Sequence, residues 1–379
     1  MLTLTLILLP IIAGLLTLST KGENAKVIAL VAALVELALG AYTFFAFVPD
    51  ATSQFGVSYN WIASAGIKFS VGIDGISLIL VSLTTLVVPF IILSTFQNNY
   101  DKASTFYSLI LFMQAGLVGV FTAKDAFLFY FFFEAALIPI YFISAICGGE
   151  NIIKVTFKFF VYTIFGSLFM LLALVYLYIK TPTHSSEITA LYETARLLDA
   201  SQQGFIFWAF FIAFAIKMPL FPFHTWQPDT YVEAPTAGTM LLSGIMLKMG
   251  TYGLIRLLLP IAPLGVKAWG TVAVILAIIG IVYGSIIAIQ QKDMKRLIAY
   301  SSFAHVGLMA AGIFSGNIDG IQGSLIQMLA HGINVVGLFF IVEIIYQRSK
   351  SRELSSLGGI TQTTPQLTVF FIIIMLGSV

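Results

Sequence analysis

The sequence predicts an all-α, polytopic membrane protein, a bundle of transmembrane helices, and three observations carry that prediction. Hydrophobic residues make up 59% of the 379 and charged residues only 9%, with a mean hydropathy of +0.99. That leaves too little polar surface to coat a soluble globule of this size. The apolar residues gather into stretches close to the roughly 20 residues that a helix needs to cross about 30 Å of hydrocarbon. Three of the stretches hold an ionisable group: Glu134 in FLFYFFFEAALIPIYFISAIC, Lys217 in FIFWAFFIAFAIKMPLF and Lys248 in TAGTMLLSGIMLKMGTYGLIRLLL. A charge at the bilayer centre costs about 2.5–3.5 kcal/mol on the lenient insertion scale, so such groups face a partner or a watery path. The pattern points to movement of charge, protons above all, across a membrane.

Taken in order, the spans are 2–19, 27–48, 75–95, 105–122, 126–147, 155–179, 204–223, 236–259, 268–290, 297–314 and 320–346, eleven in all, with 367–379 as an unfinished twelfth. The first lacks a basic leader and a small-residue cleavage site, and reads as a retained helix. The loops after the odd-numbered spans hold Lys21, Lys26, Lys102, Lys154, Lys158, Lys292, Lys295, Arg296, Arg348, Lys350 and Arg352. The opposite set holds Lys68, Lys124, Lys180, Arg196 and Lys267, so eleven cations stand against five. Positive loops stay inside, which puts the N-terminus outside. The outer loops 49–74 and 180–203 are too small to form a second domain. A formal charge of +2 without a basic cluster argues against a nucleic-acid partner. Cys147 is the single cysteine, which excludes an internal disulfide or a cluster site.

AIKMPLFPFHTWQPDTYVEAPT is the clearest punctuation in the chain. Pro219 and Pro222 each remove a helix donor, so the helix should break beside Lys217. Broken backbone at membrane depth is tolerated where it faces protein or water, which marks an ion path; an ordinary proline kink is the plainer reading.

The chemistry open to these residues is proton hopping. Burial and a nearby carboxylate act on a lysine in opposite directions, so an adjustable distance between them is a switch. Glu134 is the expected partner of Lys217, and Lys248 the next carrier; a static buried ion pair is the alternative. His305 and His331 fall in spans ten and eleven beside Ser301, Ser302, Gln327 and Asn334, polar groups able to hold a water chain. Two hydrogen-bonded packing histidines would explain them equally well. Glu36 reads as a solitary carboxylate, Arg256 and Glu343 as snorkelling groups near helix ends, and Asp74 as a helix cap. His224 is expected at the polar end of the broken segment, with a relay role as the alternative. No His-x-x-x-His or carboxylate cluster suggests a metal.

The runs KMPLFPFHTWQPDTYVEAPTAGTMLLSGIMLKMGTYGLIRLLLP, DMKRLIAYSSFAHVG and LAHGINVVGLFFIVEIIY resemble the antiporter-like subunits of respiratory complex I, the NADH:quinone oxidoreductase. YVEAPTAG followed by LKMGTYGLIR is similar to the M type in particular. The resemblance implies a proton relay over Glu134, Lys217, Lys248, His305 and His331. It also implies two inverted five-helix repeats in a single membrane domain, with 1–104 preceding them, 105–259 forming the first and 268–379 an incomplete second. PQLTVFFIIIMLGSV resembles the opening half of the family's helix twelve, so the reading frame is expected to continue past Val379 with an interrupted helix and an intramembrane Glu or Lys. No Gly-x-Gly-x-x-Gly fingerprint follows a strand, so FMN, iron–sulfur clusters and quinone are expected in partner subunits. L-like and N-like antiporter subunits are the expected neighbours, the lipid bilayer is the surrounding medium, and a bacterial inner membrane is the expected location. A cation/proton antiporter subunit of the Mrp type and a structural membrane scaffold are the competing readings.

Overall fold

A computed structural model of the chain describes every residue except 21, 51, 150 and 379. Lys21, counted above among the inner cations, and Val379 therefore lie outside the described residues. Helices account for most of the chain: α1 (Leu2–Leu18), α2 (Glu23–Ala46), α3 (Gly75–Ser94), α4 (Ala103–Thr122), α5 (Ala126–Ala135), α6 (Leu137–Cys147) and α7 (Ile152–Lys180) form the first half. After a short surface helix, α8 (Ile188–Arg196), come α9 (Ala200–Lys217), α10 (Gln227–Glu233), α11 (Thr236–Leu241), α12 (Lys248–Gly253) and α13 (Leu259–Ile261). The long α14 (Pro263–Ile289), α15 (Met294–Ile313) and α16 (Ile318–Ser349) follow, then α17 (Ile360–Thr363) and α18 (Pro365–Leu376).

Among the described residues nine helical stretches are long and apolar enough to cross a membrane, with α5 and α6 counting as one and α11 to α13 as another. The expected spans at 2–19 and 297–314 are helices too, but α1 has only 17 residues and α15 opens on Lys295 and Arg296. In its most apolar 18-residue window Thr236–Ile261 has 94% of its residues buried and Pro263–Ile289 only 28%. The Lys248 helix is thus the axis of the bundle, and α14 leaves Ile275, Ile278, Ile279, Val282 and Ile286 exposed on its outer face.

Two departures from the all-α expectation have clear causes. Loop 49–74 folds into an antiparallel hairpin, β1 (Gln54–Ile62) with β2 (Ile67–Ile73), pairing Val57 with Val71 and Tyr59 with Phe69. Alternation of Phe55, Val57, Tyr59 and Trp61 against polar neighbours gives it a period of two. The Thr3 hydroxyl donates to Phe55 O (2.8 Å) and Lys124 N to Ser70 O (2.8 Å), which ties the hairpin to α1 and to the start of α5. The second departure lies in the axis itself, where Leu242–Met246 and Leu254–Leu258 are π-helical turns on either side of Lys248.

Candidate functional site

The chain breaks where the prolines require. Pro219 has no N–H to donate to Ala215 O, so Leu220 N takes that carbonyl at 2.7 Å. Ile216 O, left without its usual donor, accepts Trp226 Nε1–H at 2.9 Å. α9 therefore ends on Lys217, turns occupy 218–226, and the half-helix α10 follows. Gly250 and Gly253 let the axis approach this break. A Cβ on Gly250 would lie 2.8 Å from Met218 Cβ and 2.9 Å from Phe214 O, and one on Gly253 would lie 2.3 Å from the Phe214 ring.

Lys217 is 2% exposed, and its Nζ lies 4.7 Å from the centre of the Phe133 ring. Glu134 is the next residue on α5, partly buried, and among the described residues no ion pair joins it to Lys217. An aromatic face, worth about 0.5–2 kcal/mol to a cation, holds the ammonium, with no carboxylate within ion-pair distance among the described residues.

Lys248 opens a continuous polar chain. Its Nζ donates to Ser243 O at 2.6 Å, inside the first π-helical turn, and lies 2.8 Å from His331 Nδ1. The other ring nitrogen of His331 is 3.0 Å from Ser302 Oγ. His305, with its ring centre 5.8 Å from that of His331, meets Gln327 Nε2 at 2.9 Å. Ser301, Ser302, His305, Gln327, His331 and Asn334 border a cavity of about 50 Å³, more than the roughly 30 Å³ share of one liquid water. Three helices, α12, α15 and α16, and the π turn before α12 thus supply donors and acceptors in alternation. An imidazole that accepts on Nδ1 and donates from Nε2 passes a proton by exchanging those roles.

Three sequence expectations need correction. Arg256 does not snorkel but turns inward, with Nε 3.2 Å from Tyr252 Oη and its guanidinium paired to Asp74. Glu343 likewise accepts from Asn98 Nδ2 (3.0 Å), Thr236 and Gln347 (3.1 Å) because α3, α11 and α16 converge there. His224, expected at a polar end, is 5% exposed and stacks on Phe303, ring centres 4.4 Å apart, with no partner for Nδ1. It does not join the chain from Lys248. Asp74 caps α3 through Ser77 N (3.0 Å), and both carboxyl oxygens of Glu36 are buried without a partner. The π turns and the role of Phe133 had no signal in the sequence reading. Among the described residues no group of His, Cys, Asp and Glu is placed to hold a metal.

The architecture and the buried charges define a class, the antiporter-like membrane subunits that carry ionisable groups on interrupted helices. Residues 123–379 match the family model described as NADH:quinone oxidoreductase/Mrp antiporter, TM, and the chain belongs to that family. Within it the chain is of the subunit M type. It is 42% identical over 326 residues to NADH-quinone oxidoreductase subunit M of Rickettsia conorii, covering 86% of this chain and 66% of that one. It is 40% identical over 380 residues to the Rickettsia prowazekii subunit M, covering 98% and 77%. The chain thus spans about two thirds to three quarters of the length of these relatives. A chain of respiratory complex I from Thermus thermophilus with bound NADH superimposes with a TM-score of 0.90 at 28% identity, over 100% of this chain and 82% of that one.

Proposed function

We propose that the chain moves protons through the membrane arm of an NADH:quinone oxidoreductase, along a relay of Glu134, Lys217, Lys248, His331 and His305. The observation that carries this reading is the unbroken contact series from Ser243 O through Lys248 and His331 to Ser302, buried at the axis of the bundle. A static ion pair accounts for it less well, because Lys217 rests on an aromatic ring and Lys248 on a carbonyl and an imidazole. Such partners hold a proton carrier without pinning its charge against a carboxylate.

The division into 1–104, a first repeat over 105–259 and a second over 268–379, with the repeats inverted, rests on the family resemblance, and the break after Lys217 falls inside the first repeat. The lengths of the apolar runs support eleven crossings, the excess of Lys and Arg in alternate loops supports an N-terminus outside, and the Rickettsia relatives support a bacterial inner membrane. Redox energy enters from partner subunits that carry FMN, iron–sulfur clusters and the quinone site, since one cysteine cannot supply a cluster's thiolates. L-like and N-like antiporter subunits are its membrane neighbours. The test is Lys217→Ala in an assembled complex reconstituted into vesicles. NADH addition should then build a much smaller pH gradient than in wild type, whereas a full gradient would overturn the relay.

A further inference from the structure

Two helices interrupted by proline bring their side chains together at Lys217. Pro139 has no N–H for Ala135 O, so the helix that carries Phe133 and Glu134 stops at Ala135 and resumes at Leu137, as α9 stops on Lys217 before Pro219. Successive residues on a helix diverge by about 100°, so Phe133 and Glu134 leave the last turn of α5 in different directions. The Phe133 ring is 1% exposed and turned into the bundle. Glu134 is half-buried, beside Ser167 of α7 and within electrostatic reach of Lys217. Of the two, the ring is the one that Lys217 Nζ lies over, at 4.7 Å from its centre.

The ring is built into the contact between α5, α9 and the axis. Phe129, one turn back on α5, lies 5.8 Å from it between centres, and Phe214, one turn before Lys217 on α9, lies 6.2 Å away in an edge-to-face pose at 67°. Phe214 is stacked on Phe210 at 5.8 Å and touches the axis where Gly253 leaves room for it. Phe129 reaches Tyr252 of α12 at 6.3 Å. Such packing orients a ring as well as burying it. Phe133 thus looks toward α12, whereas Glu134 looks toward α7.

We infer that the Phe133 ring is a second seat for the Lys217 ammonium, a positioning residue that receives the charge when it leaves Glu134 and holds it on the side of α9 that faces α12. The inference rests on the relay reading above. The protonated side chain moves as a whole between the seats, so no bond to hydrogen forms or breaks in that step. A buried ammonium without a partner is penalised heavily in apolar surroundings, and a second carboxylate would trap it. An aromatic face attracts the cation through its quadrupole and cannot take its proton. It therefore stabilises the charge without competing for what the lysine must pass on.

Replacing Phe133 with mono-, di- and trifluorophenylalanine tests this, because each fluorine draws charge from the ring face while its shape is nearly kept. Assembled complexes carrying these rings, Phe133→Leu and Lys217→Ala are reconstituted, and proton pumping is followed on NADH addition. A cation–π contact shifts the balance between two seats by a factor of about 2 to 30. Pumping should fall stepwise with fluorine number, within that range, and be lowest of the Phe133 series in Phe133→Leu. A flat fluorine series beside a dead Lys217→Ala would overturn the second seat and leave the relay standing, whether or not Phe133→Leu is impaired through lost packing. Full pumping in Lys217→Ala would overturn the relay itself. A structure of the resting Phe133→Leu complex gives an independent reading: Lys217 Nζ should have moved to within about 4 Å of a Glu134 oxygen. An ammonium left where it lies in the wild type would overturn the inference.

Discussion

Replacing His331 separates two things that the same side chain does, hold helices together and pass a proton. His331→Leu deletes two interhelical contacts, Lys248–His331 between α12 and α16 and His331–Ser302 between α16 and α15. Interhelical hydrogen bonds in membranes average about 0.6 kcal/mol and reach about 1.7, so the pair amounts to roughly 1–3 kcal/mol. Leaving the Lys248 ammonium with Ser243 O alone costs about 1–3 kcal/mol by the measure used for buried donors, and the two estimates agree. The purified complex should therefore still assemble, with a modestly lower unfolding midpoint. His331→Gln restores both contacts, because its amide oxygen accepts from Lys248 and its NH₂ donates to Ser302. It cannot exchange protons, however. Heat-unfolding midpoints and vesicle pH gradients measured side by side should show His331→Gln recovering stability without recovering pumping. A His331→Gln complex that pumps like wild type would refute the proton-passing role.

Other consequences follow from the same geometry. Burial pushes the Asp74 carboxyl upward, but Arg256 and Lys124 outweigh it and hold the group below the ordinary carboxylate range. A depressed acid contributes stability above its unfolded value near 3.9, lost as pH falls through the folded one, so an acid titration of unfolding should be shallower in Asp74→Asn than in wild type. Asp74→Ala also removes the α3 cap, about 1 kcal/mol more, and should melt below Asp74→Asn. Gly250→Val drives a side chain into Phe214 O and Met218 and should cost about 1–3 kcal/mol, read as a lower unfolding midpoint. Lys248→Arg should pump nearly as poorly as Lys248→Met, since guanidinium does not release its proton above pH ~12, and retained pumping would mean that fixed charge suffices.

Long-range order along the chain was legible because hydrocarbon thickness forces apolar runs of fixed length, and helix ends fall within a few residues of those runs. The break after Lys217 was legible for a local reason, the missing donors of Pro219 and Pro222. Contacts between distant segments were not. Nothing in the sequence pairs Lys248 with His331, 83 residues away, or seats Lys217 on Phe133, because such meetings depend on how helices rotate about their axes. Arg256 illustrates the converse error. Proximity to a helix end suggested solvent, yet Asp74 sits 182 residues earlier and draws the guanidinium inward. The hairpin at 54–73 had a readable alternation that membrane composition obscured.

The central claim is that the buried groups of the relay, Glu134 among them, change protonation during turnover, and the most direct measurement is infrared difference spectroscopy of the assembled complex on NADH addition. The account predicts a carboxyl C=O band from a carboxylate changing protonation state, absent in Glu134→Gln and shifted or lost in Lys217→Ala. An unchanged carboxyl region in Glu134→Gln, with normal pumping, would contradict it.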